Sequence, residues 1–100
     1  MAKGYWIARV DVHNMDGYKE YMAQNGAVFA KFGAMFLVRG GRSVSKEGSP
    51  RTRNVVLEFK DYETAIACYN SPDYVRLVAL RSAHAESDLL IIEGYDGEQP

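Results

Sequence analysis

Four things are scarce in this sequence. There is one cysteine, Cys68, which rules out an intrachain disulfide and supplies no metal cluster by itself. Within Ala65-Ile66-Ala67-Cys68-Tyr69 a small buried thiol is favoured over a nucleophile, because free cysteine packs as a small hydrophobe. No apolar run approaches the roughly 20 residues of a membrane span, and the opening Met1-Ala2-Lys3-Gly4-Tyr5-Trp6 lacks the apolar stretch of a signal peptide. A membrane is therefore not an expected partner, and the cytoplasm is the expected location. Net charge is nearly absent: 12 basic against 13 acidic residues leave −1, with no general attraction to nucleic acid. The two histidines, His13 and His84, stand far apart with no ligand spacing around them, so no metal site is expected. No glycine loop for phosphate and no serine-histidine-aspartate arrangement is assignable, and no cofactor is expected.

What the chain does contain is four short apolar segments, Tyr5 to Val12, Met35 to Gly40, Asn54 to Phe59 and Leu89 to Tyr95. Read at period two, one face carries Trp6, Ala8, Val10, Phe36, Val38, Val55, Leu57, Phe59, Leu90 and Ile92. The other mixes apolar side chains (Tyr5, Ile7, Met35, Val56, Leu89, Ile91) with Arg9, Asp11, Arg39, Asn54, Glu58 and Glu93. That mixture suits a sheet with helices on one side and a lined cavity or a partner on the other.

Between the strands, Tyr18, Tyr21, Met22, Val28, Phe29 and Phe32 recur at helical steps after Asn14, a sensible N-cap, and Gly33 is placed to end the helix. Gly48-Ser49-Pro50 reads as the turn of a long hairpin. Asp61 caps a short helix that stops near Asn70. Ser71-Pro72 restarts it from Asp73 to about His84, and Asp88 introduces the last strand. One hundred residues make a single domain, 1–100, with a loose tail from about residue 96.

Strand, helix, strand, strand, broken helix, strand is the order of a ferredoxin-like βαββαβ sandwich, an α+β fold with a four-stranded antiparallel sheet. Its first and third strands are central and the fourth flanks the first. That arrangement would bring Arg9 and Asp11 near Glu58 and Glu93.

The strings Gly4-Tyr5-Trp6-Ile7-Ala8, Phe36-Leu37-Val38-Arg39-Gly40-Gly41, Arg53-Asn54-Val55-Val56, Cys68-Tyr69-Asn70-Ser71-Pro72-Asp73-Tyr74 and Ile92-Glu93-Gly94-Tyr95, together with Tyr18 and Tyr21, resemble a bacterial family described only as a domain of unknown function, number 1330. The resemblance spans nearly the whole chain. It implies membership of the dimeric α/β-barrel superfamily, in which two ferredoxin-like subunits pair their sheets around a cavity. Relatives there include cofactor-independent monooxygenases, lactone isomerases, and dehalogenating and haem-degrading enzymes, so it implies shape more than chemistry.

Two functional classes stay open. In the first, a cofactor-independent enzyme acts on a small aromatic or carboxylated molecule. Glu58 or Glu93 is its general base, Arg9 steadies an enolate or carboxylate, and Asp11, Arg39, Asn54, Tyr69 and Ser71 help bind the ligand. In the second, the same charges form an ion-paired core of a homodimer without turnover, which is the favoured reading because enclosed charges must be paired. The basic hairpin (Arg39, Arg42, Lys46, Arg51, Arg53 against Glu47) is expected to be solvated rather than a nucleic-acid site, although Arg39 and Arg53 adjoin the strands.

Overall fold

The computed structural model describes residues 2–100. The elements are β1 (Gly4–Val12), α1 (Met15–Lys31), β2 (Met35–Arg39), β3 (Arg53–Phe59), α2 (Tyr62–Asn70), α3 (Pro72–Ser82) and β4 (Ala85–Glu93). They form one antiparallel sheet in the order β2-β3-β1-β4, the expected ferredoxin-like arrangement.

The helix boundaries follow local chemistry. Asn14 accepts from the Gly17 amide to start α1, and Gly33, at φ 68°, turns the chain out of it. Asp61 accepts from the Thr64 amide at 2.8 Å to start α2. Ser71 does two jobs at the helix break: its hydroxyl donates to the Cys68 carbonyl at 2.7 Å and accepts from the Tyr74 amide at 3.2 Å. Pro72 then opens α3 without losing a hydrogen bond.

The helices cover one face of the sheet, and Trp6 centres the core between them. Its ring meets Phe29, Phe59, Tyr69 and Tyr74 at centroid distances of 4.8 to 5.6 Å, and its indole N–H donates to the Ala65 carbonyl at 2.9 Å. Such a cluster joins β1 and β3 to all three helices.

Four expectations about the strands fail. The last strand begins at Ala85, not after Asp88, because β1 is nine residues long and pairs β4 along its whole length, from Gly4 opposite Glu93 to Val12 opposite Ala85. That register also reverses its faces: Ile91 lies beside Trp6 and Leu89 beside Ala8 on the helix side, while Leu90 and Ile92 point outward, about half exposed. In β2 a bulge between Phe36 and Val38 adds a residue, so Val38 leaves the helix side and Arg39, opposite Val55, joins it. Finally, residues 40–52 do not continue the β2–β3 ladder as a long hairpin. They form a loop that folds over the polar end of the outer sheet face, tied down by Arg9 donating to the Ser49 carbonyl at 2.7 Å and by Thr52 to Asp11 at 3.0 Å.

Candidate functional site

The outer face is ordered in rows across the sheet. Val38, Val56, Ile7 and Leu90 lie side by side on the four strands, and the neighbouring row is Met35, Glu58, Tyr5 and Ile92. The next rows are polar: Asn54, Arg9 and Asp88, then Asp11 and Glu86. The face thus grades from an open apolar half to a polar half under the loop.

In that polar half Arg51 reaches back from the loop into a group of acids. Its guanidinium lies 2.9 Å from Asp11, 2.8 Å from Asp88 and 3.9 Å from Glu86. Asp11 is held below the usual carboxylate range, first by the Thr52 amide and then by Arg51, against the opposing effect of burial. Glu58 accepts from the Tyr5 hydroxyl at 2.9 Å.

The anticipated meeting of Arg9 and Asp11 with Glu58 and Glu93 does not occur. Arg9 stands opposite Asn54 and Asp88, four residues along β3 from Glu58, or about 13 Å at strand spacing. Glu93 is opposite Gly4, at the far end of β1. Arg9 and Asn54 do share an open groove of about 620 Å³ beneath the loop, without either glutamate. Among the residues expected to bind a ligand, Tyr69 packs on Trp6 and Tyr74, and Ser71 is occupied as a cap.

A different group of polar side chains converges on the inner side. Between sheet and helices lies a partly enclosed cavity walled by the rings of Trp6, Tyr18, Tyr21, Phe29, Phe36 and Tyr74, with Asn25, Arg39, Arg53 and Arg81 among its lining. The space open to the centre of a water-sized sphere is about 30 Å³, room for one or two waters, within a concavity of about 410 Å³ that includes its mouth. Arg39 is exposed beside the opening, its guanidinium 4.2 Å over the Phe36 ring.

Period and register explain why these residues face inward. Asn25 continues the buried stripe Tyr18, Tyr21, Asn25, Val28 of α1, and Arg81 continues Tyr74 and Leu77 on α3. Arg53 keeps the phase of Val55 and Leu57 on β3. Gly40 makes room for it: at φ 73° its backbone suits glycine, and a Cβ there would sit 2.9 Å from an Arg53 Nη.

The cavity's electrostatics are one-sided. Arg81 is 7% exposed and Asn25 5%. Arg81 donates to the Tyr74 hydroxyl at 2.7 Å, and that oxygen shares a hydrogen bond with the Tyr21 hydroxyl. Among the described residues no carboxylate lies within ion-pair distance of Arg39, Arg53 or Arg81, and none lines the cavity. The Nε atoms of Arg53 and Arg81 and the Oδ1 of Asn25 are buried without a hydrogen-bond partner. Burial pushes the Tyr74 hydroxyl well above the ordinary phenol range and raises that of Tyr18, against the opposing pull of Arg53 and Arg81.

Elsewhere, Cys68 is buried, with its thiol pushed up to about 12 by desolvation. The His84 carbonyl accepts from the His13 and Asn14 amides. No three His, Cys, Asp or Glu side chains are gathered to hold a metal among the described residues. No helix is long and apolar enough to cross a membrane.

The model of a family described as a domain of unknown function (DUF1330) matches residues 3–95, and the chain belongs to that family. No curated protein matches the sequence. Among solved structures, a protein of unknown function from Rhodopseudomonas palustris, RPA0582, superposes with a TM-score of 0.77 at 15% identity, covering 96% of this chain and 85% of that one. SnoaB, a cofactor-independent oxygenase from Streptomyces nogalater, superposes at 0.65 with 14% identity, covering 100% and 97%. A dimeric ferredoxin-like protein of unknown function from Jannaschia sp. CCS1 superposes at 0.67 with 19% identity, covering 91% and 96%. At these identities the likeness is one of fold.

Proposed function

Starting from its membership of the DUF1330 family, we propose that this chain is a small-molecule-binding homodimer whose ligand site is the cavity between sheet and helices of each subunit. The observation that carries the reading is the set of three guanidiniums without an acid, two of them with an unpartnered Nε, together with the unpartnered Asn25 oxygen. A buried cation lacking its counter-charge costs several kcal/mol, and a ligand that supplies the missing partner recovers that cost.

The outer face is the proposed dimer surface. Its apolar row, Val38, Val56, Ile7 and Leu90, is open, while its charges are largely satisfied within the chain by Arg51 and Tyr5. This supports the ion-paired dimer face over a catalytic centre built on Arg9, Glu58 and Glu93. The dimeric ferredoxin-like protein from Jannaschia sp. CCS1 shares the fold.

Turnover at the inner cavity would be cofactor-independent, as in the Streptomyces nogalater oxygenase of the same fold. The chemistry available to the lining side chains is donation: guanidiniums and protonated phenols stabilise negative charge on a bound molecule. With no carboxylate, imidazole or thiol in the lining, a proton would leave to water or to the ligand itself.

Thermal-shift screening of a metabolite library, followed by native mass spectrometry of the hits, tests the site. Hits should lose at least about tenfold in affinity with Arg53→Gln and keep it with Arg9→Ala, Glu58→Gln and Glu93→Gln. The opposite pattern would return the site to the outer face.

A further inference from the structure

The inner cavity also constrains what it binds, and this inference rests on that cavity being the ligand site. We propose that the ligand is a small hydroxycarboxylate, a monoanion carrying at least one free hydroxyl. The unpartnered Nε–H groups of Arg53 and Arg81 are donors on cations, so they call for an anionic acceptor. The planar guanidinium fork matches a carboxylate in two hydrogen bonds. The Asn25 Oδ1 is the reverse: a buried acceptor that calls for a donor, which a carboxylate lacks and a hydroxyl supplies.

Charge and walls narrow the class further. Arg81 is nine-tenths buried, and its hydrogen-bond partner is the Tyr74 hydroxyl, itself bonded to the Tyr21 hydroxyl, so its neighbours supply no negative charge. The rings of Trp6, Tyr21, Phe29 and Tyr74 offer an apolar lining to the carbon skeleton. The enclosed part, with room for one or two waters, is smaller than such a ligand, so a short or flat skeleton must extend into the wider concavity of about 410 Å³, past the exposed Arg39 at its mouth.

Isothermal titration with 3-hydroxybutyrate and 3-hydroxybenzoate tests this against butyrate, benzoate and the corresponding hydroxyamides. At least one hydroxy acid should bind. Removing its hydroxyl or its charge should each weaken binding by about tenfold or more. Asn25→Asp, nearly isosteric, should supply the missing counter-charge: the melting temperature should rise by at least about 4 °C and hydroxy-acid binding should be lost.

Failure of both hydroxy acids to bind overturns the inference, as does unchanged affinity in Asn25→Asp, whatever its melting temperature. Hydroxyamides binding as tightly as the acids would overturn the ligand class. If that amide binding were lost in Arg53→Gln, the cavity would still stand as the site.

Discussion

Replacing Leu90 by aspartate tests the proposed assembly on the open apolar half of the outer sheet face. Leu90 sits on β4, an edge strand, beside Ile7 in the apolar row, and is 51% exposed. In an isolated subunit, aspartate there faces water, so the fold should change by no more than about 0.5 kcal/mol. In a dimer paired through this face the same substitution is felt twice, once per copy. Burying the remaining half of a leucine contributes about 1 kcal/mol, and an unpaired carboxylate in its place costs at least about 2 kcal/mol. Counted for both copies, the loss is about 6 kcal/mol, a factor on the order of 10⁴ in the dissociation constant. Light scattering coupled to size exclusion would read this directly, because the chain mass is 11.2 kDa and a dimer is twice that. We expect the unmodified protein to run as a dimer at micromolar concentration and Leu90→Asp as a folded monomer with unchanged far-ultraviolet dichroism. A monomer in the unmodified protein, or a folded Leu90→Asp dimer, would refute the reasoning.

Three further outcomes follow from local chemistry. Gly40→Ala forces a side chain onto a left-handed backbone and against Arg53, so it should lower stability by about 1 to 2 kcal/mol and weaken ligand binding; unchanged melting and titration curves would contradict this. Asp11, Asp61 and Asp73 are held below the ordinary aspartate range, chiefly by the Thr52 amide, by Thr64 and by Lys31 respectively. A carboxyl with a depressed folded pKa stabilises the fold above about pH 4 and loses that contribution as pH falls through the lower folded value. Melting temperature should therefore fall below about pH 4, and Asp11→Asn should flatten part of that slope; an identical acid profile in the variant would argue against it. Cys68, buried and raised to about 12, should not react with an aromatic disulfide reagent at pH 8 until denaturant is added, and immediate labelling of the native chain would be inconsistent with its place in the core.

Much of the fold was legible because its signals are local. Asn14, Gly33, Asp61 and Ser71-Pro72 act on backbone groups a few residues away, and each ends or starts a helix where the sequence indicates. The inner polar residues were legible as well, but as violations of the pattern. Asn25 interrupts an apolar stripe at its proper spacing, Arg81 does the same on α3, and Arg53 keeps the phase of the greasy strand face. A reading that follows charge to the mixed face passes over polar residues at core positions.

By itself, then, the sequence determined the element types, their order, the caps and the family, since propensity, period and capping are decided within a few residues along the chain. Tertiary structure alone decided which residues meet. The long pairing of β1 with β4 fixed the faces of Leu89 to Ile92, for a shift of one residue exchanges the two sides of a strand. The bulge in β2 sent Arg39 inward and Val38 outward. Register also separated Arg9 from Glu58, carried Arg51 to the acids of the outer face, and left three arginines together with no acid among them.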